Sequence, residues 1–468
     1  CHPVGTRPTG EAEPLAHEGF QIPCRMYEMH VPDRSTDDGR CTPNRGPMSE
    51  PRFAVDSDRL RQDIERNAQF GTVAAENGRG RTVLPGTTPN KQARESFVDQ
   101  LIRADLTVDT DAVGNITGTW LPEECNPEAA PVAVGSHLDS VPNGGIFDGP
   151  LGVYAGLEAI RALQDADISP TRPIQVVCFT GEEGTRFADG VLGSSVAAGL
   201  LDTDVALDLS DGSETLREAL QEIGFHGEGR LDATDWHAWL ELHVEQSERL
   251  EQQDVSAGVV TTITGTTRLH GTIEGTAEHS GSTSMADRTD ALAAASELVV
   301  TLEQAAQEAA EPAGTAVATI GELSVAPGAV NVVPGHVEFS VDIRDVDQAV
   351  IDRLVDRVNA KLETLEADRG VETTLDCSYD VPPVEMAPNC RDALRDAGDA
   401  LGTKTVDVHS GAGHDTMQIA TATDAGLLFA PSRGGHSHNP LEWTDWWDCA
   451  AATEILTEAL YSLAADGK

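Results

Sequence analysis

An apolar run, Pro131 to Val134, empties into Gly135-Ser136-His137-Leu138-Asp139-Ser140-Val141-Pro142-Asn143-Gly144-Gly145-Ile146-Phe147-Asp148-Gly149, and that succession leaves few folds open. The run reads as a buried strand. His137 and Asp139, two residues apart, fall on the same side of the pleat. A glycine-rich turn then returns Asp148 towards them, and residues 151–163 read as a helix. A strand that passes through a polar turn into a helix is the working unit of an α/β sheet. Imidazole with carboxylates is also the ligand set of a borderline cation such as Zn²⁺. Alone, His-x-Asp fits an ordinary polar strand-to-helix loop better; the rest of the chain reverses that reading.

Helices are expected near residues 56–67 (Leu60, Ile64) and 90–105 (Ala93, Phe97, Leu101), with a Gly/Arg-rich loop between them. Short strands follow at 106–108 and 114–120. The β-branched run 174–179 ends in Thr180-Gly181-Glu182-Glu183-Gly184. In open sheets of this kind ligands gather at strand ends, where both polar clusters fall. Around residue 256 the organisation changes. Strand 262–274, helix 287–306, strands 315–323 and 336–344, a helix from Val350 to Leu365 and strand 371–377 give β-α-β-β-α-β, a split βαβ unit. The expected fold is therefore α/β: a mixed-sheet outer domain, residues 48–257 and 379–468, carrying an inserted ferredoxin-like α+β domain, residues 258–378. Residues 1–47, rich in Pro, Arg and Asp and without a sustained period, are expected to be an extension outside the working protein.

At 468 residues the chain exceeds what one hydrophobic core serves, which agrees with two domains. Its formal net charge of −46 would suit a disordered chain, but a 39% hydrophobic fraction with clear periodicity speaks for a folded one. A solvated acidic shell, as in proteins adapted to high salt, fits better. Such a field argues against nucleic acid or an anionic membrane as partner. With no apolar run of transmembrane length and no basic-then-apolar leader pattern, the expected location is the cytoplasm. The eight cysteines form no CxxC, so neither a structural zinc site nor a disulfide framework is indicated.

Further clusters carry possible chemistry. Adjacent Glu182 and Glu183 on an irregular turn can point different ways, one to a metal and one to a proton. Glu241, His243 and Glu245 share one strand face, ahead of Gln246. His279 lies in Glu-His-Ser-Gly before a helix. After Asn331, strand 336–344 turns Val337, Phe339, Val341 and Ile343 inward and leaves Asp342 and Arg344 on the other side. Arg344 is either paired with a neighbouring carboxylate or free to grip a substrate carboxylate. His414, His436 and His438 sit in Gly/Ser loops, poor core material.

Together these segments resemble the dinuclear-zinc amidohydrolases of the hydantoinase/carbamoylase type, which include N-carbamoyl-L-amino acid hydrolases and allantoate amidohydrolases, within the aminoacylase and carboxypeptidase-like metallopeptidase superfamily. The resemblance runs from about residue 56 to the C-terminus and takes in every cluster in order. It implies that His137 and His243 hold one metal ion, Glu183 and His438 the other, and that Asp148 bridges them. His438 rather than the neighbouring His436 is implied by its spacing to Pro440 and Glu442. It further implies Asp139 as the group orienting His137, Glu182 as general base, and His279 as an oxyanion donor reaching into the partner subunit of a homodimer built on the inserted lid domain. Gln246, Asn331, Arg344, Gly434 and Gly435 would bind substrate. The cofactor expected is a pair of divalent ions, Zn²⁺ first, with Mn²⁺, Co²⁺ or Ni²⁺ able to fill such a site. The implied activity is hydrolysis of N-carbamoyl-L-amino acids, with allantoate or N-carbamoyl-β-alanine as runners-up and an aminoacylase or dipeptidase behind them. A non-catalytic acid-binding dimer needs no base such as Glu182 beside its metal. A merely structural metal would show a closed four-ligand site.

Overall fold

The structure, a computed structural model, describes residues 53–123, 125–311 and 314–465. Residues 1–47, expected to be an extension, lie outside the described residues.

Among the described residues a nine-stranded mixed sheet runs in the order Val384–Glu385, Ala257–Ile263, Ala425–Ala430, Ala238–Val244, Val132–His137, Ile174–Phe179, Ile116–Trp120, Thr107–Thr110, with Thr405–Ser410 beside Ala257–Ile263. Its centre is four parallel strands, Ala425–Ala430 through Ile174–Phe179. These are buried on both faces, as parallel strands covered by helices must be. Val132 and Val134 point into one core with Leu151, Tyr154, Ile160 and Leu456, whereas Ala133 points into another with Phe179, Trp236, Trp239 and Ile419. That alternation is the period of two expected of a pleated strand. The helix Pro150–Asp165 opens directly from the glycine-rich turn, is apolar nearly all round, and packs on the strand that precedes it. No described helix is long and apolar enough to cross a membrane.

The inserted unit has the expected β-α-β-β-α-β order: Gly265–Glu274, Ala291–Ala310, Val317–Ala326, His336–Asp345, Gln348–Arg369 and Glu372–Val381. Its four strands pair antiparallel throughout. Val337, Phe339, Val341 and Ile343 face both helices, as their alternation requires, and leave Asp342 and Arg344 on the opposite face. The first helix starts four residues later than expected. Met285–Asp287 forms a 3₁₀ turn, and Asp290 caps the helix proper by accepting the Ala293 N–H.

One expected element is two. The run 262–274 breaks at Thr264: Ala257–Ile263 belongs to the large sheet, and Gly265–Glu274 is one of the two inner strands of the small one. Gly265 allows the close passage of the returning chain, because a Cβ there would lie 2.6 Å from Pro383 Cδ.

Candidate dinuclear metal centre

All four parallel strands end at one edge of the large sheet, and each delivers a cluster there. Val132–His137 delivers His137 and Asp139; Ile174–Phe179 delivers Glu182 and Glu183; Ala238–Val244 delivers His243; Ala425–Ala430 leads to His438. Asp148 lies among them. Its Oδ1 is 3.2 Å from His243 Nε2 and 3.5 Å from His137 Nε2, while Oδ2 is 3.6 Å from His438 Nε2. Glu183 Oε2 is 3.1 Å from His438 Nε2. The donor atoms therefore form two triads, His137/Asp148/His243 and Asp148/Glu183/His438, which share one carboxylate.

The histidine tautomers follow from their second contacts. His137 Nδ1 lies 3.2 Å from the Asp139 carbonyl oxygen and His243 Nδ1 3.0 Å from that of Val244. A carbonyl only accepts, so both Nδ1 atoms carry a proton, and each Nε2, turned towards Asp148, is the ring atom that would bind a cation. His137 Nε2 and Glu183 Oε1 are buried without any hydrogen-bond partner. Buried polar atoms are seldom orphaned, and these two belong to residues of the two triads. The residues present thus fit a pair of divalent cations.

The fields agree. Burial alone would raise the Asp148 carboxyl, yet His243 and His137 hold it well below the usual carboxylate range. Burial holds Glu182 well above that range, against the pull of His137 and with Asp415, Glu183 and Asp148 adding to the rise. A cation at the site would favour both ionised carboxylates, adding to the hold on Asp148 and opposing the effect of burial on Glu182. Glu182 Oε2 stands 3.7 Å from His137 Nε2, at the rim of the first triad.

Asp139, expected to orient His137 through its side chain, meets the ring through its main chain instead. Its main-chain carbonyl meets His137, whereas its carboxylate, 3.7 Å from Nδ1, accepts the amide N–H groups of Glu183 at 3.2 Å and Glu182 at 3.4 Å. The reason is the short loop: two residues past the strand end, the carbonyl is nearer the ring than the side chain is. Gln246 Nε2 donates to Asp148 Oδ2 at 3.3 Å and to Ser437 Oγ at 3.1 Å.

A cavity of about 220 Å³ opens between this edge and the polar face of the small sheet. Asp148, Glu182, Glu183, His243, Gln246 and His438 line one side, Thr266, Arg268, Arg344 and Tyr379 the other. Arg344 is half paired already: Nε and Nη2 bind the two Asp342 oxygens at 2.8 and 3.2 Å, and Nη1 the Gly411 carbonyl at 2.9 Å. Two of its five N–H bonds remain. Gly434, Gly435, His279 and Asn331 do not line this cavity. Gly434 and Gly435 hold a left-handed turn against Ser247, where a Cβ on Gly435 would lie 2.8 Å from the Ser247 carbonyl carbon. His279 and Asn331 are exposed neighbours on the small sheet's flank, joined through the 2.9 Å bond from Ser280 N–H to the Asn331 carbonyl. His436 belongs to neither triad.

Two supports escaped sequence reasoning. Arg81 is fully buried and spreads its guanidinium over the carbonyls of Gly145, Leu138 and Asp139, each at 3.2 Å, and of Asp148 at 3.3 Å. Glu442 Oε1 accepts the N–H groups of Phe147 at 2.8 Å and Asp148 at 3.0 Å. Glu241, which shares a strand with His243, is engaged by Ser136 and Thr416. It braces the floor of the site.

Fold and site together define a metal-centred α/β hydrolase, with a shared carboxylate between two histidine-bearing triads and an inserted antiparallel sheet over them. The chain belongs to the Peptidase family M20/M25/M40, whose model matches residues 133–462 and whose enzymes use dinuclear metal sites. It is 38% identical to an N-carbamoyl-L-amino-acid amidohydrolase of Paenarthrobacter aurescens over 413 residues, 87% of this chain and 98% of the relative. With the N-carbamoyl-L-amino acid amidohydrolase of Geobacillus stearothermophilus it shares 37% identity over 405 residues, 86% of this chain and 97% of the relative. The crystal structure of an amidase of the hydantoinase/carbamoylase family from Burkholderia multivorans superposes with a TM-score of 0.83 at 35% identity, covering 89% of this chain and all of that one.

Proposed function

We propose that this chain hydrolyses the carbamoyl amide bond of N-carbamoyl-L-amino acids, giving the amino acid, ammonia and carbon dioxide. The observation that carries the reading is Asp148 standing between two triads with Glu182 at their rim. Similarity to relatives named for this activity supports it. When bound, two divalent ions, Zn²⁺ first among those the ligand set accepts, supply Lewis acidity to the attacking water and the carbonyl oxygen. His137, His243, Glu183, His438 and Asp148 would hold them.

Glu182 takes a proton from the attacking water and returns it to the departing nitrogen. Asp139, bound to both glutamate amides, fixes where that carboxylate stands. The two spare N–H bonds of Arg344 receive the substrate carboxylate end-on, and Gln246 steadies Asp148. His279 and Asn331, exposed and outside the cavity, fit a role completed by a second copy of the chain. Among the described residues the edge strand Val317–Ala326 pairs on one side only and is largely exposed, a surface suited to such a homodimer. On this reading residues 258–378 act as lid and dimerisation domain over a catalytic part, 48–257 and 379–468, with the sheet change at Thr264 as its hinge.

A substrate panel on protein reconstituted with Zn²⁺, Mn²⁺, Co²⁺ or Ni²⁺ tests this, with ammonia release as the readout. N-carbamoyl-L-amino acids are expected to exceed allantoate, N-carbamoyl-β-alanine and N-acetyl amino acids. Inactivity on all of them with every metal would leave a binding protein instead. Glu182→Gln is expected to keep its metal content and lose about 10²–10⁴ in kcat; near-native turnover would remove Glu182 as the base.

A further inference from the structure

The face of the small sheet over the metal centre carries a second guanidinium that the reaction above does not use. Arg268 lies on the strand Gly265–Glu274, opposite Asp342 on one neighbour and opposite Tyr379 on the other. Arg344, Thr266 and Val381 form the adjacent rung on that face. Arg268, Tyr379, Arg344, Thr266 and Val381 all line the cavity.

Arg268 gives Nε to Asp342 Oδ2 at 3.2 Å, and its guanidinium carbon sits 5.1 Å from the Tyr379 ring centroid. Stacking holds the plane of the group and leaves its donors in that plane free for a ligand. Asp342 also serves Arg344 with both oxygens. Two guanidiniums thus share one carboxylate. Same-face rungs lie about 7 Å apart along a strand. Two such long side chains can therefore hold two carboxylates of one small molecule. The opposite wall is acidic, with Asp148, Glu182, Glu183 and Asp189, so an anionic side chain has one favourable place to go.

We infer that Arg268 and Tyr379 form a second anion-holding subsite, so that the preferred substrates are ureido dicarboxylates: N-carbamoyl amino acids with an acidic side chain. The inference rests on the N-carbamoyl amino acid reading, with the metal centre at the ureido end and Arg344 on the α-carboxylate. A neutral side chain of equal length leaves the Arg268 donors to water, whereas a carboxylate gains charge-assisted hydrogen bonds in a half-enclosed site.

The test pairs binding with turnover, using N-carbamoyl-L-glutamate against N-carbamoyl-L-norvaline. Calorimetric titration into metal-reconstituted Glu182→Gln protein is expected to show the dicarboxylate bound about tenfold or more tightly. Arg268→Met is expected to bring that ratio towards one, and Arg268→Glu to invert it in favour of N-carbamoyl-L-lysine. Arg268 is about half exposed, and melting curves verify that both variants fold. A wild-type ratio near one, or a dicarboxylate preference that survives Arg268→Met, overturns the subsite. Ammonia release by the unmutated enzyme is scored separately. Tight dicarboxylate binding without ammonia release upholds the subsite and removes the hydrolase reading; ammonia release with equal affinities does the reverse.

Discussion

Removing the Glu442 carboxylate would strand two buried amide N–H groups, those of Phe147 and of Asp148, the residue between the two triads. Each unsatisfied donor costs about 1–3 kcal/mol. Burial, with Asp148 adding to it, pushes the Glu442 carboxyl up to about 8, against the two N–H groups that Oε1 accepts. Glu442→Gln retains Oε1 and is expected to stay close to native, whereas Glu442→Ala is expected to lose about 2–5 kcal/mol in urea unfolding and to bind metal more weakly. A Glu442→Ala protein with native stability and metal affinity would show that the loop holds itself. The residues of the two candidate triads stood out in the sequence as knots of His, Asp or Glu at strand ends or in the loops that follow them. Glu442 and Arg81 were not. A single acid or a single arginine in a glycine-rich loop carries no period, and the Glu442–Phe147 bond joins positions 295 residues apart. The Asp139 carbonyl was equally invisible, since main-chain atoms have no sequence signature.

At the level of elements, the order of helices and strands was readable because burial writes a period of two or of 3.6 into the chain. The break at Thr264 was not. Val259 to Thr267 is nearly continuous β-branched sequence, which registers strand propensity but not which sheet a strand joins. Beside this crossing, His409 on Thr405–Ser410 pairs in register with Thr262 and meets the Arg249 guanidinium at 2.8 and 3.0 Å. Burial first, then Arg249, lowers its pKa from 6.5 to about 4, with Asp345 opposing. The unfolded chain therefore binds the extra proton between those values. Stability is expected to be full above pH 6.5 and to fall as the pH drops towards 4. The His409 share is about 1 kcal/mol once solvent screening of a half-buried group is allowed for. His409→Asn should flatten the unfolding free energy by that amount across the same window. An unchanged slope in the variant would assign the acid sensitivity elsewhere.

For the whole molecule the governing quantity is charge: 78 acidic against 32 basic side chains. Many of the arginines are committed locally, as in Arg59 to Glu158 and Asp165, Arg186 to Asp211 and Glu214, and Arg395 to Asp392 and Asp407. The acidic surplus is left to repel itself across the surface. Repulsion of this kind is long-ranged in dilute buffer and is cut as the Debye length shrinks from about 10 Å at 0.1 M salt to about 3 Å at 1 M. The melting temperature is therefore expected to rise with KCl, with most of the gain reached by about 1 M. The shape of the curve separates this cause from general salting-out, which continues to grow with concentration and appears with sucrose as well. A melting temperature flat in KCl, or one that climbs linearly past 1 M and equally in sucrose, would mean that the acidic shell does not limit stability. The cavity face with Arg268 and Arg344 is a small cationic island inside that field. A dicarboxylate must cross the acidic surface to reach it, so its association rate is expected to rise with the same salt that steadies the fold.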